Sequence, residues 1–587
     1  MCGLFGHTQA SRFERELSRC ALHTLIHRGP DQWGEWCDDQ VYIGHRRLSI
    51  LDLSERGRQP MTDARGDVVI AVNGEIYNYP GLKRELEPRY SFASHSDSEI
   101  VLHGYREWGF HGLLKRMDGM YAIALYDKTE RKVYLARDRS GIKPLYYSRV
   151  NGGFAWASEL KALTTWHGAG NLVDDVTALY DYLTYRYIPT PKTRYCDVFK
   201  LPPASQLVCD LTTGGIVVSS YWSLPVTTQP TTPEGAADRL LDLLDVSVVE
   251  QLMSDVPVGI FLSGGIDSSA VAASAVRRSP HIHTYSIGFA EKGYDESAFA
   301  EDVARHLGTA HAHRMCGPED AALGQRNIPS WYDEPFADSS SVPTHLVSRF
   351  ARDGITVALS GDGGDELFGG YRWYEAMHRR RPASRMLRSC AAPAVTRWGR
   401  SHRRDPFSRA LRRLGYEKVW NEFEAYTVLL GGLLKQDKCA WAARWNIPAD
   451  YDDYWYFRKY YRDDLPVRTR WQVVDFHTYL HDDIHTKVDR ASMQVALEVR
   501  VPLLSQALIE FAFSLPEDIR YLGGRSKGIF RHALRDRLPQ HILDRGKKGF
   551  GMPTREWGAA FSGDGRSWQE NLLTRWPGLD GGAETTP

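Results

Sequence analysis

Val256-Pro257-Val258-Gly259-Ile260-Phe261-Leu262-Ser263-Gly264-Gly265-Ile266-Asp267-Ser268-Ser269 decides the architecture of the larger part of this chain. A mostly apolar run ends in a Ser/Gly turn, and an Ala/Val-rich helical stretch follows. Apolar residues without alternation fit a strand buried on both faces, and therefore a parallel sheet covered by helices. Ile355-Thr356-Val357-Ala358-Leu359 has the same character and also runs into a glycine turn, Ser360-Gly361-Asp362-Gly363-Gly364-Asp365-Glu366. An amphipathic helix over 236–254 precedes the first strand, and 371 to about 560 reads as mainly helical. The pattern predicts an α/β domain with extra helices.

Upstream the texture changes. Residues 1 to about 200 carry short strands at Val41–Ile43, Val68–Val72, Tyr121–Tyr126 and Lys132–Ala136, with helical stretches near 12–26 and 98–117. Gly and Asp turns separate them, which predicts sheets covered by helices. Pro and Thr then cluster over 189–235, as in Thr227-Thr228-Gln229-Pro230-Thr231-Thr232-Pro233. That composition marks a crossing between domains. The predicted organisation is a first domain at 1–205, a linker at 206–235, a second domain at 236–570 and a flexible tail at 571–587.

Composition limits the partners. At 587 residues the chain exceeds one hydrophobic core. Lys+Arg and Asp+Glu both number 73, so no net field draws it to nucleic acid or an anionic membrane. No apolar run reaches the roughly 18 residues of a membrane span. Arg12, Glu14, Arg15 and Glu16 interrupt any secretory apolar segment. The eight cysteines are scattered without a CxxC pair, which argues against disulfides or zinc and predicts a reducing, cytoplasmic setting. Between Arg379 and Arg413 arginine dominates and Asp405 is the only acid. With few aromatics for stacking, the segment reads as a solvated helical insertion, not a nucleic-acid patch.

Two constellations carry chemistry. The first begins at Met1-Cys2-Gly3-Leu4-Phe5-Gly6. Trimming the initiator leaves Cys2 with a thiol nucleophile beside a free α-amino group, whose reference pKa is about 7.7 to 8.0, so it can serve as base. Thiol attack on a side-chain amide also needs a grip on the substrate's carboxylate and ammonium, and two oxyanion donors. Arg47, Asp97 and Asn73-Gly74 supply these in turn. They occur in loop-like motifs: Arg46-Arg47-Leu48-Ser49-Ile50, Asn73-Gly74-Glu75-Ile76-Tyr77-Asn78 and Ser96-Asp97-Ser98-Glu99, together with His27-Arg28-Gly29-Pro30-Asp31.

The second constellation is built on the two buried strands. Ser263-Gly264-Gly265-Ile266-Asp267-Ser268-Ser269 lets backbone N–H groups and hydroxyls approach phosphate oxygens. It lacks the GxxxxGK[ST] pattern of a Walker A loop. Asp267 and Asp365, one from each loop, suit Mg²⁺ held against a triphosphate. Ser286-Ile287-Gly288-Phe289 is placed to meet adenine. Arg545-Gly546-Lys547-Lys548-Gly549-Phe550 offers a cation for charge developing at the α-phosphate, and the residues alone leave Lys547 and Lys548 both open. The charges of Lys487-Val488-Asp489-Arg490-Ala491-Ser492-Met493 and Leu497-Glu498-Val499-Arg500-Val501-Pro502 could line the active-site wall or brace helices, and bracing is the preferred reading.

Residues 1 to about 200 resemble the class II glutamine amidotransferases of the N-terminal-nucleophile fold. Residues 236 to about 560 resemble the ATP pyrophosphatases, and both in this order are similar to the glutamine-hydrolysing asparagine synthetase family. The resemblance implies an α+β (αββα) glutaminase domain followed by an α/β PP-loop domain. It implies glutamine contacts at Arg47, Leu48, Ile50, Asn73, Gly74, Glu75 and Asp97. It also implies ATP contacts at Leu262, Ser263, Gly264, Gly265, Asp267, Ser268, Ile287, Ser360 and Gly361, with Mg²⁺ on Asp267 and Asp365. Cys2, Asn73, Gly74, Asp362 and Lys547 become catalytic. The implied scheme is a γ-glutamyl thioester on Cys2, an acyl-adenylate made from ATP, and ammonia crossing between the sites. The partners are glutamine and a small carboxylic acid, aspartate first, and a homodimer is left open.

Two departures from the family bear on the acceptor: Asp362 stands where glutamate is common, and Ser505 where the family usually has aspartate. They keep a tailoring enzyme that amidates another carboxylate as the alternative. A β-lactam synthetase-like enzyme typically lacks the cysteine, so Cys2 with Arg47, Asn73 and Asp97 argues against it. Intact residues at both sites argue against a non-catalytic scaffold.

Overall fold

The computed structural model describes residues 2–8, 12–149, 153–291, 293–380, 421–551, 553, 568–576 and 579. Most of the arginine-rich segment and of the tail therefore lies outside the described residues.

The first domain is a four-layer sandwich. One antiparallel sheet runs in the spatial order Val198–Lys200, Tyr146–Ser148, Ala155–Ala157, Gly3–Thr8, Val41–Arg47, Gln32–Cys37. The other runs Ile216–Ser220, Ser205–Asp210, Lys132–Arg137, Gly119–Asp127, Val68–Ile76, Met61–Thr62. Their facing residues, among them Leu4, Ile43, Ala71, Ala124, Leu135 and Trp156, form the central core. Helices Arg12–His23 and Leu160–His167 cover the outside of the first sheet. Helices Tyr79–Leu86 and Glu99–Arg116 cover the second. The αββα expectation holds.

The domain boundary needs correcting. Strands Ser205–Asp210 and Ile216–Ser220 occupy the first part of the predicted 206–235 linker and complete the second sheet. Proline and threonine enrichment set in before the last hairpin, so composition placed the crossing too early. Helix Pro233–Gln251 then opens the second domain, with Thr232 capping its first turn. The predicted tail also starts too soon, because Leu572, Leu573 and Trp576 are buried in the helical core.

The second domain holds five parallel strands in the order Ala310–Cys316, His283–Phe289, Val258–Phe261, Val357–Leu359, Glu498–Arg500. Both loops quoted above leave the carboxyl ends of adjacent central strands, where ligands of open α/β sheets bind. The remaining described chain, from Arg372 on, is mainly helical, as predicted.

Buried ions join the domains. The Arg28 guanidinium donates to both Asp489 carboxylate oxygens, at 2.8 and 2.9 Å, and to Glu159 at 2.7 Å. Arg490 pairs with Glu159 at 2.8 Å. The bracing read for Asp489 and Arg490 is thus correct, and it runs between domains. Lys487 departs from it, since its ammonium lines the nucleotide cleft and pairs with Asp338 at 3.1 Å.

Candidate active sites

Cys2 immediately precedes strand Gly3–Thr8, an inner strand of the first sheet, and is buried. Its N–H donates to Asn73 Oδ1 at 2.7 Å, and its carbonyl accepts from Arg28 Nε at 3.0 Å. Burial pushes its thiol pKa up. Asn73 and Gly74 do not form a loop, contrary to expectation. They sit inside the nine-residue strand Val68–Ile76, opposite Ala122 and Tyr121. Gly74 has φ +152°, and a Cβ there would lie 1.9 Å from the Met120 carbonyl oxygen, so only glycine fits. Asn73 Nδ2 is buried without a hydrogen-bond partner among the described residues. A buried amide donor left unused beside a thiol suits a developing oxyanion.

Asp97 accepts from the Ile76 N–H at 2.6 Å. Burial lifts its carboxyl to about 6, with the Ile76 N–H opposing. Glu75 is raised well above the usual carboxylate range by burial and by Asp97. Leu48 and Ile50 are buried in the core shared by both domains. Arg47 is less free than the sequence reading assumed. It donates to Gln32 at 2.7 Å and to the carbonyls of Leu51, Asp52 and Ser54 at 2.5 to 3.1 Å, shaping that loop.

In the second domain the two loops meet back to back, since a Cβ on Gly361 would lie 2.5 Å from the Ser268 nitrogen. Gly264 has φ +67° and packs on Phe299, so this turn also requires glycine. Ser268 Oγ lies 3.2 Å from the Ser263 N–H and donates to the Gly265 carbonyl. Leu262, Ser263, Gly265, Ser268, Ile287 and Ser360 all line one cleft, with Asp267, Gly361, Asp362 and Asp365. Lys547 pairs with Asp365, whereas Lys548 donates to the Asp295 carbonyl at 3.2 Å. The geometry thus separates two lysines the residues alone left equal.

Lys527 went unnoticed in the sequence. Its ammonium pairs with Asp267 and lies 2.5 Å from Asp365, between the two carboxylates. Burial would raise Asp365, but Lys527 and Lys547 hold it at about 2. Asp267 Oδ1 is buried without a hydrogen-bond partner among the described residues. Two carboxylates facing one cleft, with an unused oxygen, are oxygen donors of the kind that would suit Mg²⁺. The only advance signal for Lys527 was a basic residue in Arg525-Ser526-Lys527-Gly528, which matches no phosphate motif.

Asp362 accepts from Ser360 Oγ at 2.8 Å. Ser505 lies elsewhere, at the N-cap of helix Gln506–Ser514 and outside the cleft lining. The Ser505 side chain makes no capping hydrogen bond among the described residues, so this departure concerns a helix end and not the cleft. Glu366 lines the cleft, accepts from the Tyr371 hydroxyl at 2.7 Å, and is lifted by burial to about 8.

A cysteine-based amide site and a Ser/Gly nucleotide cleft, locked together by buried ions, define a two-domain glutamine-dependent synthetase. Comparison agrees with the order of parts. A glutamine amidotransferase domain model matches residues 1–222, and an asparagine synthase model matches 239–581. The chain belongs to the asparagine synthase family. It is 33% identical to asparagine synthetase [glutamine-hydrolyzing] 1 of Bacillus subtilis, over 98% of this chain and 90% of that one. It is also 33% identical to a putative asparagine synthetase [glutamine-hydrolyzing] of Mycobacterium bovis, over 92% and 84%. Amidase chry2 of Gibberella zeae is 27% identical over 92% and 85%.

Proposed function

We propose that this protein converts aspartate to asparagine, using glutamine as nitrogen donor and ATP as activator, with glutamate, AMP and pyrophosphate as the other products. The observation carrying this reading is the pairing of two sites, each with unused buried polar atoms: Asn73 Nδ2 beside Cys2 and Asp267 Oδ1 in the nucleotide cleft. Family membership and the relatives' names support it.

In this scheme the processed chain starts at Cys2, and its thiolate attacks the glutamine side-chain amide. The Asn73 amide and the Gly74 N–H receive the oxyanion, while Asp97 holds the substrate ammonium and Glu75 lines the same pocket. Ammonia leaves the resulting thioester, and water then releases glutamate. At the other site the acceptor carboxylate attacks the α-phosphate, and the P–O bond to pyrophosphate breaks. Lys547 and Lys527 offset the phosphate charge there. Mg²⁺, held by Asp267 and Asp365, would neutralise the triphosphate. Ammonia attacks the acyl carbon, AMP departs, and Asp362 is placed to take the surplus proton. Enclosed passage keeps ammonia unprotonated and nucleophilic.

A second reading keeps the chemistry and changes the acceptor to another small carboxylic acid, favoured by the shorter arm of Asp362 and by the amidase relative. Acid-dependent pyrophosphate release across a panel of carboxylic acids, with ammonium chloride as nitrogen source, tests both. Aspartate should give the highest kcat/KM, and a faster acid would establish the second reading. Cys2→Ala should keep ammonium-driven synthesis and lose the glutamine-driven reaction; loss of both would refute separate sites. Among the described residues no helix is long and apolar enough to cross a membrane.

A further inference from the structure

Strand Glu498–Arg500 belongs to the parallel sheet of the second domain, yet its charged side chains serve the first domain's pocket. Arg500 is 1% exposed. Its Nε donates to Glu498 at 2.6 Å, and Nη1 donates to the carbonyls of Gln251 and Met253 at 2.8 and 2.7 Å. Nη2 lies 3.6 Å from Glu75 Oε1 and has no hydrogen-bond partner among the described residues. The guanidinium also lies 5.9 Å from the Tyr77 ring. Its positive charge lowers the pKa of both Glu75 and Asp97, opposing the burial that raises them. Without it, two buried carboxylates would face each other with less compensation.

The backbone of the same residue reaches the other site. Arg500 pairs with Leu359, and its carbonyl accepts from the Ser360 N–H at 2.9 Å. Ser360 in turn donates from Oγ to Asp362 at 2.8 Å. One residue therefore touches the glutamine pocket with its side chain and the nucleotide loop with its main chain.

We propose that Arg500 is a positioning residue shared by both sites, through which filling of the nucleotide cleft adjusts the Glu75 side of the glutamine pocket. The Nη2–Glu75 gap closes to a hydrogen bond with a shift of roughly half an ångström, so small movement of the strand suffices. Arginine is needed because one ammonium cannot serve Glu498, two carbonyls and Glu75 at once. This rests on the function proposed above.

The test uses full-length enzyme with its native N-terminus. Glutamate release is measured with glutamine alone and with ATP, Mg²⁺ and aspartate added. Pyrophosphate release is measured with glutamine and with ammonium chloride. In the wild type, nucleotide and acceptor should change glutamate release. Arg500→Gln should abolish that change and raise the glutamine KM about tenfold or more, while ammonium-driven pyrophosphate release falls far less. Arg500→Lys should give an intermediate KM. In a double-mutant cycle, Glu75→Gln with Arg500→Gln should be no worse than the poorer single variant.

Four results would overturn the proposal: unchanged glutamine KM with the nucleotide effect intact, equal falls in both pyrophosphate rates, independent multiplication of the two single effects, or a wild type whose glutamate release ignores the nucleotide. If Arg500→Gln does not fold, Arg500→Lys and Glu75→Gln decide by the same readouts. A wild type that releases neither glutamate nor pyrophosphate would instead refute the underlying function.

Discussion

Asn73 Oδ1 accepts the Cys2 backbone N–H at 2.7 Å, which commits the amide oxygen, while the amide NH2 of Asn73 has no hydrogen-bond partner among the described residues. The side chain is thus oriented before any substrate arrives. Asn73→Ala should lower kcat for glutamate release by about 10²–10³, with ammonium-driven pyrophosphate release retained. Equal loss of both would show that Asn73 acts through the fold.

Glutamine use should depend on Asp97. Its carboxyl titrates near 6 because it is buried, and holding an ammonium requires the ionised form. The grip is therefore full above that value and lost as pH falls through it. Below pH 6 the glutamine KM should rise by about tenfold per pH unit, whereas Asp97→Asn should be weak and flat across the same range. A flat wild-type profile down to pH 5 would contradict this.

Lys527 keeps Asp267 and Asp365 from facing each other uncompensated. Lys527→Met should lower ammonium-driven pyrophosphate release by at least about 10²-fold and leave glutamate release measurable. Retention of near-normal pyrophosphate release would remove Lys527 from the site.

Arg28→Ala should strand the buried carboxylate of Asp489, whereas Glu159 keeps Arg490 and Lys161. Loss of one partner of such a group costs about 3–5 kcal/mol, so chemical denaturation should show a fall of that size. The paired change Arg28→Met with Asp489→Leu should recover part of it, since neither ion then remains alone.

Much of both sites was legible because their determinants are local. The strand–loop–helix at 256–269 carries its glycines, serines and Asp267 in one contiguous run, and the Cys2 motif needs no partner to be recognised. Asn73-Gly74 was read wrongly as a loop, because Asn-Gly is usually a turn. Here the strand's partner, through the Met120 carbonyl, sets the need for glycine. Lys527 was illegible as a cleft residue, since its position there arises from a side chain 260 positions away in sequence, Asp267, and the charges around Arg500 were read as bracing in preference to an active-site wall. The extra hairpin at 205–220 was missed because its outer strand is exposed on four of five residues and reads like a connector.

The clasp of Arg28 on Asp489 spans 461 positions of sequence. During translation the thiol-bearing pocket is made first and its fastening is made nearly last. A growing chain therefore carries a nucleophile whose backbone anchor still lacks one of its two acidic partners, and this gap persists until most of the polypeptide has emerged. The residue that holds the Cys2 carbonyl is therefore fully paired only once both domains are in place.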